Sequence, residues 1–138
     1  MSTTATQVTG KNYIGNQLSA KGTKTYTTFN PQTNTENITV FTEATSDEIN
    51  EAVKLASDAF ETYSKKSGKE KAVFLRTIAE EIENLGEKLI ETYTSESGLP
   101  AGRAAGERGR TLGQLRAFAA HVEEGSWSEA TIDTAQPE

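Results

Sequence analysis

The sequence contains no cysteine and a single histidine, His121. Disulfides, thiolate metal sites and a cysteine nucleophile are therefore excluded within these 138 residues. One histidine cannot form a metal cluster alone, so we expect no metal site. No apolar run approaches the ~20 residues that a membrane helix needs, and the first ten residues lack the basic and apolar regions of a secretion signal. The sequence therefore predicts a cytoplasmic protein.

Basic residues are in the minority. The chain has 14 Lys and Arg against 20 Asp and Glu, a net charge of -6, which disfavours binding to nucleic-acid phosphates or anionic lipid heads. A length of 138 residues is enough for one modest core but not for two. We therefore expect one domain with neither nucleic-acid nor membrane partners.

The amino-terminal third has the composition of short strands and turns. Residues 1–11 carry little apolar surface, so we expect a flexible arm there. Two β-favouring segments flank a turn-like stretch and predict a hairpin, and a second turn leads into a third strand. In chain order these are residues 12–18, 19–22, 23–29, 30–34 and 37–41.

Two capping boxes predict where the helices begin. Thr45 precedes Glu48 by three residues, and Ser67 precedes Glu70 in the same way. In this motif the hydroxyl and the carboxylate each accept a hydrogen bond from a backbone amide that the helix leaves unpaired. Apolar residues at helical spacing follow both boxes. The sequence therefore predicts one helix ending near Gly68 and a second starting there.

The second predicted helix runs to about Ser97. Gly98 suits the left-handed position that ends a helix, and Pro100 fits the first turn of the next one. A third helix is predicted from Ala101 to Glu124, followed by a last strand at 127–132. The fold class is then α+β, with a hairpin and a third strand followed by three helices.

Four glycines lie along one face of the third predicted helix. Each costs roughly 1 kcal/mol relative to alanine, so helix propensity alone does not account for this helix. Either a neighbouring backbone packs closely on this face, or a ligand does. The spacing matches no phosphate-binding loop. The residues are Gly102, Gly106, Gly109 and Gly113.

Long polar side chains form a second stripe on the same helix: Arg103, Glu107, Arg110 and Gln114. One interpretation is a solvated surface with ion pairs to Glu107, worth about 0.2–0.5 kcal/mol each. The other is a binding surface. His121 is interpreted as a packing residue or as one that complements the helix dipole.

Several motifs together resemble the amino-terminal part of the NAD(P)-dependent aldehyde dehydrogenase superfamily, over about residues 12–132. They are Phe29-Asn30-Pro31, the run from Ala44 to Ile49, Ala52-Val53, Ala56, Ala59-Phe60, Arg76, Ile78-Ala79, the run from Glu96 to Pro100, and Glu107. Within the superfamily, four motifs look most like the α-ketoglutaric semialdehyde (2,5-dioxovalerate) and related fatty aldehyde dehydrogenases. They are Gly98 to Arg103, Gly106 to Arg108, Arg110-Thr111, and Gln114 to Ala119.

The resemblance implies a longer enzyme with a Rossmann-like coenzyme domain, a catalytic domain and an oligomerisation hairpin. Such enzymes oxidise an aldehyde through a thiohemiacetal on a cysteine, and hydride passes to NAD or NADP. Their catalytic residues and their coenzyme-binding glycine motif lie in later parts, so we expect no catalytic or cofactor-binding residue in this chain. Residues 12–138 would be the first portion of the coenzyme domain, truncated near the oligomerisation hairpin. The expected partners are the remainder of the enzyme and further copies of it.

The resemblance also places the third helix along the tunnel by which the aldehyde reaches the cysteine. The position matching Arg110 lies near the tunnel mouth, where a guanidinium would bind a carboxylate at the far end of the substrate. Gln114 and Phe118 would continue the tunnel wall. Two alternatives stay open: Arg110 pairs only with Glu107 on the surface, or the chain is a stand-alone helical interaction module without catalytic activity.

Overall fold

The computed structural model describes residues 8–132, so the expectations for residues 1–7 and 133–138 lie outside it. Within that range two separate antiparallel hairpins precede four α-helices. The strands are β1 (Asn12–Ile14), β2 (Gln17–Ser19), β3 (Thr25–Asn30) and β4 (Thr35–Thr42). The helices are α1 (Ser46–Tyr63), α2 (Gly68–Asn84), α3 (Gly86–Ser97) and α4 (Ala101–Glu124), followed by a 3₁₀ turn at Ser126–Ser128. The α+β class is confirmed, with four helices in place of three.

The predicted hairpin between residues 12–18 and 23–29 does not form, because β1 pairs with β2 and β3 pairs with β4. β1 and β2 are joined by Gly15 and Asn16, both with positive φ, at 54° and 66°. Positive φ at both positions is typical of the two-residue turn that matches strand twist. A Cβ on Gly15 would lie 2.5 Å from Cδ1 of Leu55, so the hairpin packs directly on α1. The hairpin turn predicted at 19–22 is wrong. Gly15 and Asn16 adopt positive φ more readily than residues 19–21, so the chain turns there instead.

The second hairpin forms around the predicted turn at 30–34. Asn30 pairs with Thr35, and β3 and β4 continue antiparallel with a bulge between Thr27 and Phe29. The strand predicted at 37–41 therefore pairs with β3 and is longer than expected. At its end, the Thr42 amide donates to the Gly10 carbonyl at 2.9 Å. The last residues of the expected arm thus lie against β4.

Both predicted capping boxes are present. Thr45 caps α1 with Glu48, and Ser67 caps α2 with Glu70, each with both reciprocal hydrogen bonds. These starts were predictable because a capping box is a purely local signal.

The single long second helix is wrong, because it breaks into α2 and α3 at Leu85. Gly86 follows with φ of 56°, a conformation that glycine adopts at little cost. Nη1 of Arg108, on α4, donates to the Gly86 carbonyl at 3.0 Å. The break is thus stabilised by a contact from another helix. The apolar periodicity of residues in the segment itself could not predict that contact.

α4 has the predicted bounds and packs antiparallel to α2. A Cβ on Gly68, at the start of α2, would lie 2.4 Å from the carbonyl oxygen of Val122, near the end of α4. Small side chains let the helices approach, and ion pairs flank the contact. The buried residues are Ala72, Ala79, Ala104, Leu112 and Ala119, and the ion pairs are Arg76–Glu123 and Arg116–Glu83.

The strand predicted at 127–132 does not form. Gly125 ends α4 with φ of 85°, and the 3₁₀ turn follows it directly. None of the helices described is both long and apolar enough to cross a bilayer.

Candidate functional site

The glycine stripe of α4 lies on the side of the helix away from α2. At each of its four positions, no described atom comes within 4 Å of where a Cβ would be, leaving out the helix's own nearby backbone. No residue in the range 8–132 therefore supplies the close neighbour that the sequence predicts for this face. The stripe is an open surface without side chains, bordered by the polar residues of the candidate site.

Three polar residues beside the stripe form one ion-pair network. Nη2 of Arg103 lies 2.7 Å from Oε1 of Glu107. Nε and Nη2 of Arg110 each lie 3.0 Å from Oε2 of the same carboxylate. Arg110, with its hydrogen bond and its charge, and then Arg103, hold the pKa of Glu107 below its usual range. The carboxylate therefore stays ionised between two guanidinium groups.

The three side chains differ in exposure. Those of Arg103 and Arg110 are 65% exposed, whereas that of Glu107 is 26% exposed. In this structure Arg110 makes the surface pair with Glu107 that the sequence left open as an alternative. Its exposure nevertheless leaves the guanidinium accessible to a ligand from solvent.

Gln114 and Phe118 follow Arg110 along the same side of α4, because residues four apart share a helix face. Gln114 is exposed, and Phe118 is 64% exposed. Phe118 lies about 12 Å along the axis from Arg110 at 1.5 Å per residue. The predicted residues thus form a line from a charged end to an apolar end, without direct contact between the two ends.

Phe118 borders an apolar hollow of about 470 Å³ at the end of α4. The hollow is also lined by Leu75, Leu115, His121, Val122 and Trp127. His121 lines this hollow and is also exposed in the last turn of α4, so its position is compatible with both interpretations, packing and complementing the helix dipole.

A second apolar hollow, of about 280 Å³, lies where α2, α3 and α4 meet. Ala104, Glu107, Arg108 and Thr111 line it from α4, and the other side is apolar: Ile82, Leu85, Leu89, Ile90 and Tyr93. Sequence reasoning missed this hollow because it depends on the break at Leu85. The only local signal for that break was Gly86. Glu107 therefore has an apolar neighbourhood on one side and two arginines on the other.

Residues 8–132 contain no group of three or more His, Cys, Asp or Glu side chains placed to hold a metal ion. The arrangement on α4 is suited instead to recognising an anion, since guanidinium groups bind carboxylates directionally.

Comparison with known proteins matches residues 18–137 to the aldehyde dehydrogenase family. The chain is 42% identical over 132 residues to α-ketoglutaric semialdehyde dehydrogenase 2 of Azospirillum brasilense, covering 95% of this chain and 25% of that protein. It is 41% identical over 129 residues to α-ketoglutaric semialdehyde dehydrogenase of Acinetobacter baylyi, covering 94% of this chain and 24% of that one. The chain thus spans about a quarter of the length of these relatives.

A solved structure shares the fold. The crystal structure of an NAD-dependent benzaldehyde dehydrogenase from Corynebacterium glutamicum matches with a TM-score of 0.75 and 21% sequence identity. The match covers 82% of this chain and 25% of that one. At this identity the likeness concerns the fold alone.

Proposed function

This chain belongs to the aldehyde dehydrogenase family, and from that premise we propose that it is the amino-terminal segment of an enzyme that oxidises an aldehyde to the acid with NAD or NADP. The proposed substrate is α-ketoglutaric semialdehyde or a related aldehyde that carries an acid group. Two relatives named for that substrate, at 41% and 42% identity over most of this chain, support the proposal. In the enzyme the segment is scaffold and part of the substrate wall, and it is not catalytic alone.

We assign no catalytic or coenzyme-binding residue to this chain. It has no cysteine to act as nucleophile, and the α4 glycines have neither of the spacings that cradle phosphates. The nicotinamide would accept the hydride in the remainder of the enzyme. Residues 12–138 would be the first portion of the coenzyme domain, next to the oligomerisation hairpin, in an enzyme that assembles from several identical copies.

The exposed guanidinium of Arg110 is the observation that carries the substrate proposal. It stands on a face of α4 that no described residue covers, and Gln114 and Phe118 extend the same side of the helix. A bidentate arginine–carboxylate pair is directional and stronger than a neutral hydrogen bond. Arg110 would therefore bind the acid at the far end of the substrate, while Gln114 and Phe118 line the path of the aldehyde end.

The test is Arg110→Leu in the full-length enzyme. We expect KM for α-ketoglutaric semialdehyde to rise roughly tenfold or more, since a hydrogen bond to a charged group is worth about 1.5–3 kcal/mol. A long alkyl aldehyde has no carboxylate and should be oxidised almost as before. Steady-state kinetics with both substrates measure the difference.

Arg116→Leu is the matched control, because Arg116 is also on α4 but pairs with Glu83 of α2 at 2.5 Å. It should not discriminate between the two aldehydes. If Arg110→Leu impairs both substrates equally, the defect is in folding. If it impairs neither, Arg110 does not belong to the substrate site.

A stand-alone interaction module is the alternative function, and the exposed apolar faces of the helices would suit one. The family match over residues 18–137 favours the enzyme. An antibody against this chain would distinguish the two in an extract of the source cells. If the chain is part of the enzyme, the antibody should detect a protein several times longer than 138 residues. Detection of a protein of about 138 residues alone would support the stand-alone module.

A further inference from the structure

Within the proposed function, on which this inference rests, we infer that Glu107 and Arg103 determine how readily Arg110 binds the substrate carboxylate. Glu107 competes with the substrate for Arg110. Arg103 holds Glu107 when Arg110 turns to the substrate. Both are positioning residues that set substrate preference through Arg110.

The two oxygens of Glu107 are divided between the two arginines. Oε1 is held by Arg103 at 2.7 Å, and Oε2 is held by Arg110 at 3.0 Å. Arg110 therefore does not have to displace Arg103 in order to leave. The pair that remains is the shorter of the two.

The network has one positive charge in excess, since two guanidinium groups share one carboxylate. Among residues 8–132, Arg103 and Arg110 form ion pairs with Glu107 and with no other carboxylate. A second carboxylate, such as the acid group of the substrate, would bring the charge of the network to zero. An aldehyde without an acid group offers no such compensation.

Release of Arg110 has a low cost only because Arg103 is there. Glu107 is three-quarters covered and borders an apolar hollow, so a carboxylate left there without a partner would be costly. With Arg103 in place, Glu107 keeps an ion pair after Arg110 has moved. Without Arg103, Arg110 would be the sole partner of Glu107, and its move to the substrate would leave that carboxylate unpaired.

Two single variants of the full-length enzyme test the two roles. Glu107→Gln has nearly the same shape but no charge, so it should lower KM for α-ketoglutaric semialdehyde by about two- to fivefold, the range expected for an exposed ion pair. Arg103→Met keeps the aliphatic stem and should raise that KM by a similar factor. For both variants, kcat and the kinetics of a long alkyl aldehyde should stay unchanged.

The double variant separates competition from a general effect of charge. Arg103→Met with Glu107→Gln leaves Arg110 without a competitor but restores the net charge of the wild-type network. We expect KM close to that of Glu107→Gln. A KM close to that of wild type would mean that only the net charge matters, and the inference would be overturned.

The same series distinguishes this inference from the proposed function. If Arg110→Leu raises KM for the acidic aldehyde while Glu107→Gln and Arg103→Met leave it unchanged, the inference fails and the substrate site stands. If Arg110→Leu has no effect, both fail. Should Glu107→Gln not fold, an unchanged KM for the acidic aldehyde in Arg103→Met would still overturn the inference.

Discussion

At the scale of single residues, Glu48 is the charged side chain that the described fold buries, at 2% exposure. It caps α1 through Thr45, and it also accepts hydrogen bonds from the Ser19 hydroxyl and from the Lys21 amide, the latter at 3.1 Å. The sequence predicted the cap but not the contacts with Ser19 and Lys21. One carboxylate therefore joins the end of the first hairpin to the start of the first helix.

Glu48 should make the stability of the chain depend on pH. The Ser19 hydroxyl, followed by the Thr45 amide, lowers its pKa from 4.5 to about 2. Because the folded pKa is the lower one, the stabilisation is fully present above pH 4.5 and is lost as pH falls towards 2. Glu48→Gln should therefore be less stable than wild type at pH 7, and this difference in stability should shrink as the pH falls from 4.5 towards 2. Urea denaturation of the 138-residue chain at several pH values measures this.

Glu61→Gln is the control for that series, since Glu61 is exposed on the same helix. Its difference from wild type should be small at every pH. A loss of stability in Glu48→Gln that is the same at pH 7 and pH 2.5 would contradict the prediction, since the ionised carboxylate would then contribute nothing.

The charged part of the candidate site was predictable from spacing. Arg103 and Arg110 stand four residues before and three residues after Glu107, and such positions are neighbours on a helix. The apolar hollow beside Glu107 was not predictable, because it forms where α2, α3 and α4 meet and depends on the break at Leu85. The role of Arg110 towards a substrate came from the resemblance and stays a prediction.

At the scale of elements, local sequence motifs correctly predicted where helices begin, whereas features that depend on contacts between elements were missed. The capping boxes and the Gly98–Pro100 junction were sufficient to place the starts of α1, α2 and α4, whereas α1 ends at Tyr63, before the predicted Gly68. The break at Leu85 and the turn at Gly15 were missed. In both cases a contact from another element accompanies the glycine: Arg108 at the break and Leu55 at the turn.

The glycine stripe of α4 yields a prediction that depends on what surrounds the helix. In the 138-residue chain, Gly109→Ala should stabilise the fold by up to about 1 kcal/mol, because alanine favours a helix and nothing lies within 4 Å of the new Cβ. In the full-length enzyme the same change should destabilise, because the rest of the protein would pack on this face. Thermal melts of both proteins, each with and without the substitution, provide the comparison.

Gly68→Ala is the control for the stripe. Its Cβ would lie 2.4 Å from the Val122 carbonyl oxygen, a contact within this chain, so it should destabilise both proteins. Stabilisation by Gly109→Ala in the full-length enzyme as well would mean that the stripe is open to solvent there, and that the glycines do not serve close packing.

At the scale of the whole molecule, the apolar residues are poorly covered. Those that are buried are mostly alanines, and no large side chain among the described residues is fully buried. The helices α1 and α2 expose apolar side chains on adjoining surfaces: Ile49, Val53, Phe60, Tyr63, Val73 and Phe74. Tyr63 and Phe74 meet edge to face at 5.7 Å, so the two surfaces are continuous. We refer to these six residues as the apolar surface.

Such a surface predicts a chain of marginal stability. Covering apolar area contributes roughly 25 cal/mol per Å², and here much of that contribution is absent. We expect the 138-residue chain to self-associate, or to melt below about 65 °C as mesophilic domains do. Sedimentation and melting over a range of concentrations test this. A concentration-independent melt of a monomer above that temperature would show that the chain is self-sufficient.

The apolar surface should also be where the rest of the enzyme attaches. Val53→Glu with Phe60→Glu places two charges on it, at positions where both side chains are about two-thirds exposed. In the 138-residue chain this double variant should reduce self-association and leave the helical circular dichroism unchanged. When the chain is refolded with the separately produced remainder of the enzyme, the wild type should gain stability and restore aldehyde oxidation, whereas the double variant should do neither.

Glu61→Lys, a change of charge outside the apolar surface of α1, should behave as wild type in both experiments. Restoration of activity by the double variant would contradict this assignment, because two buried carboxylates without partners would prevent the attachment.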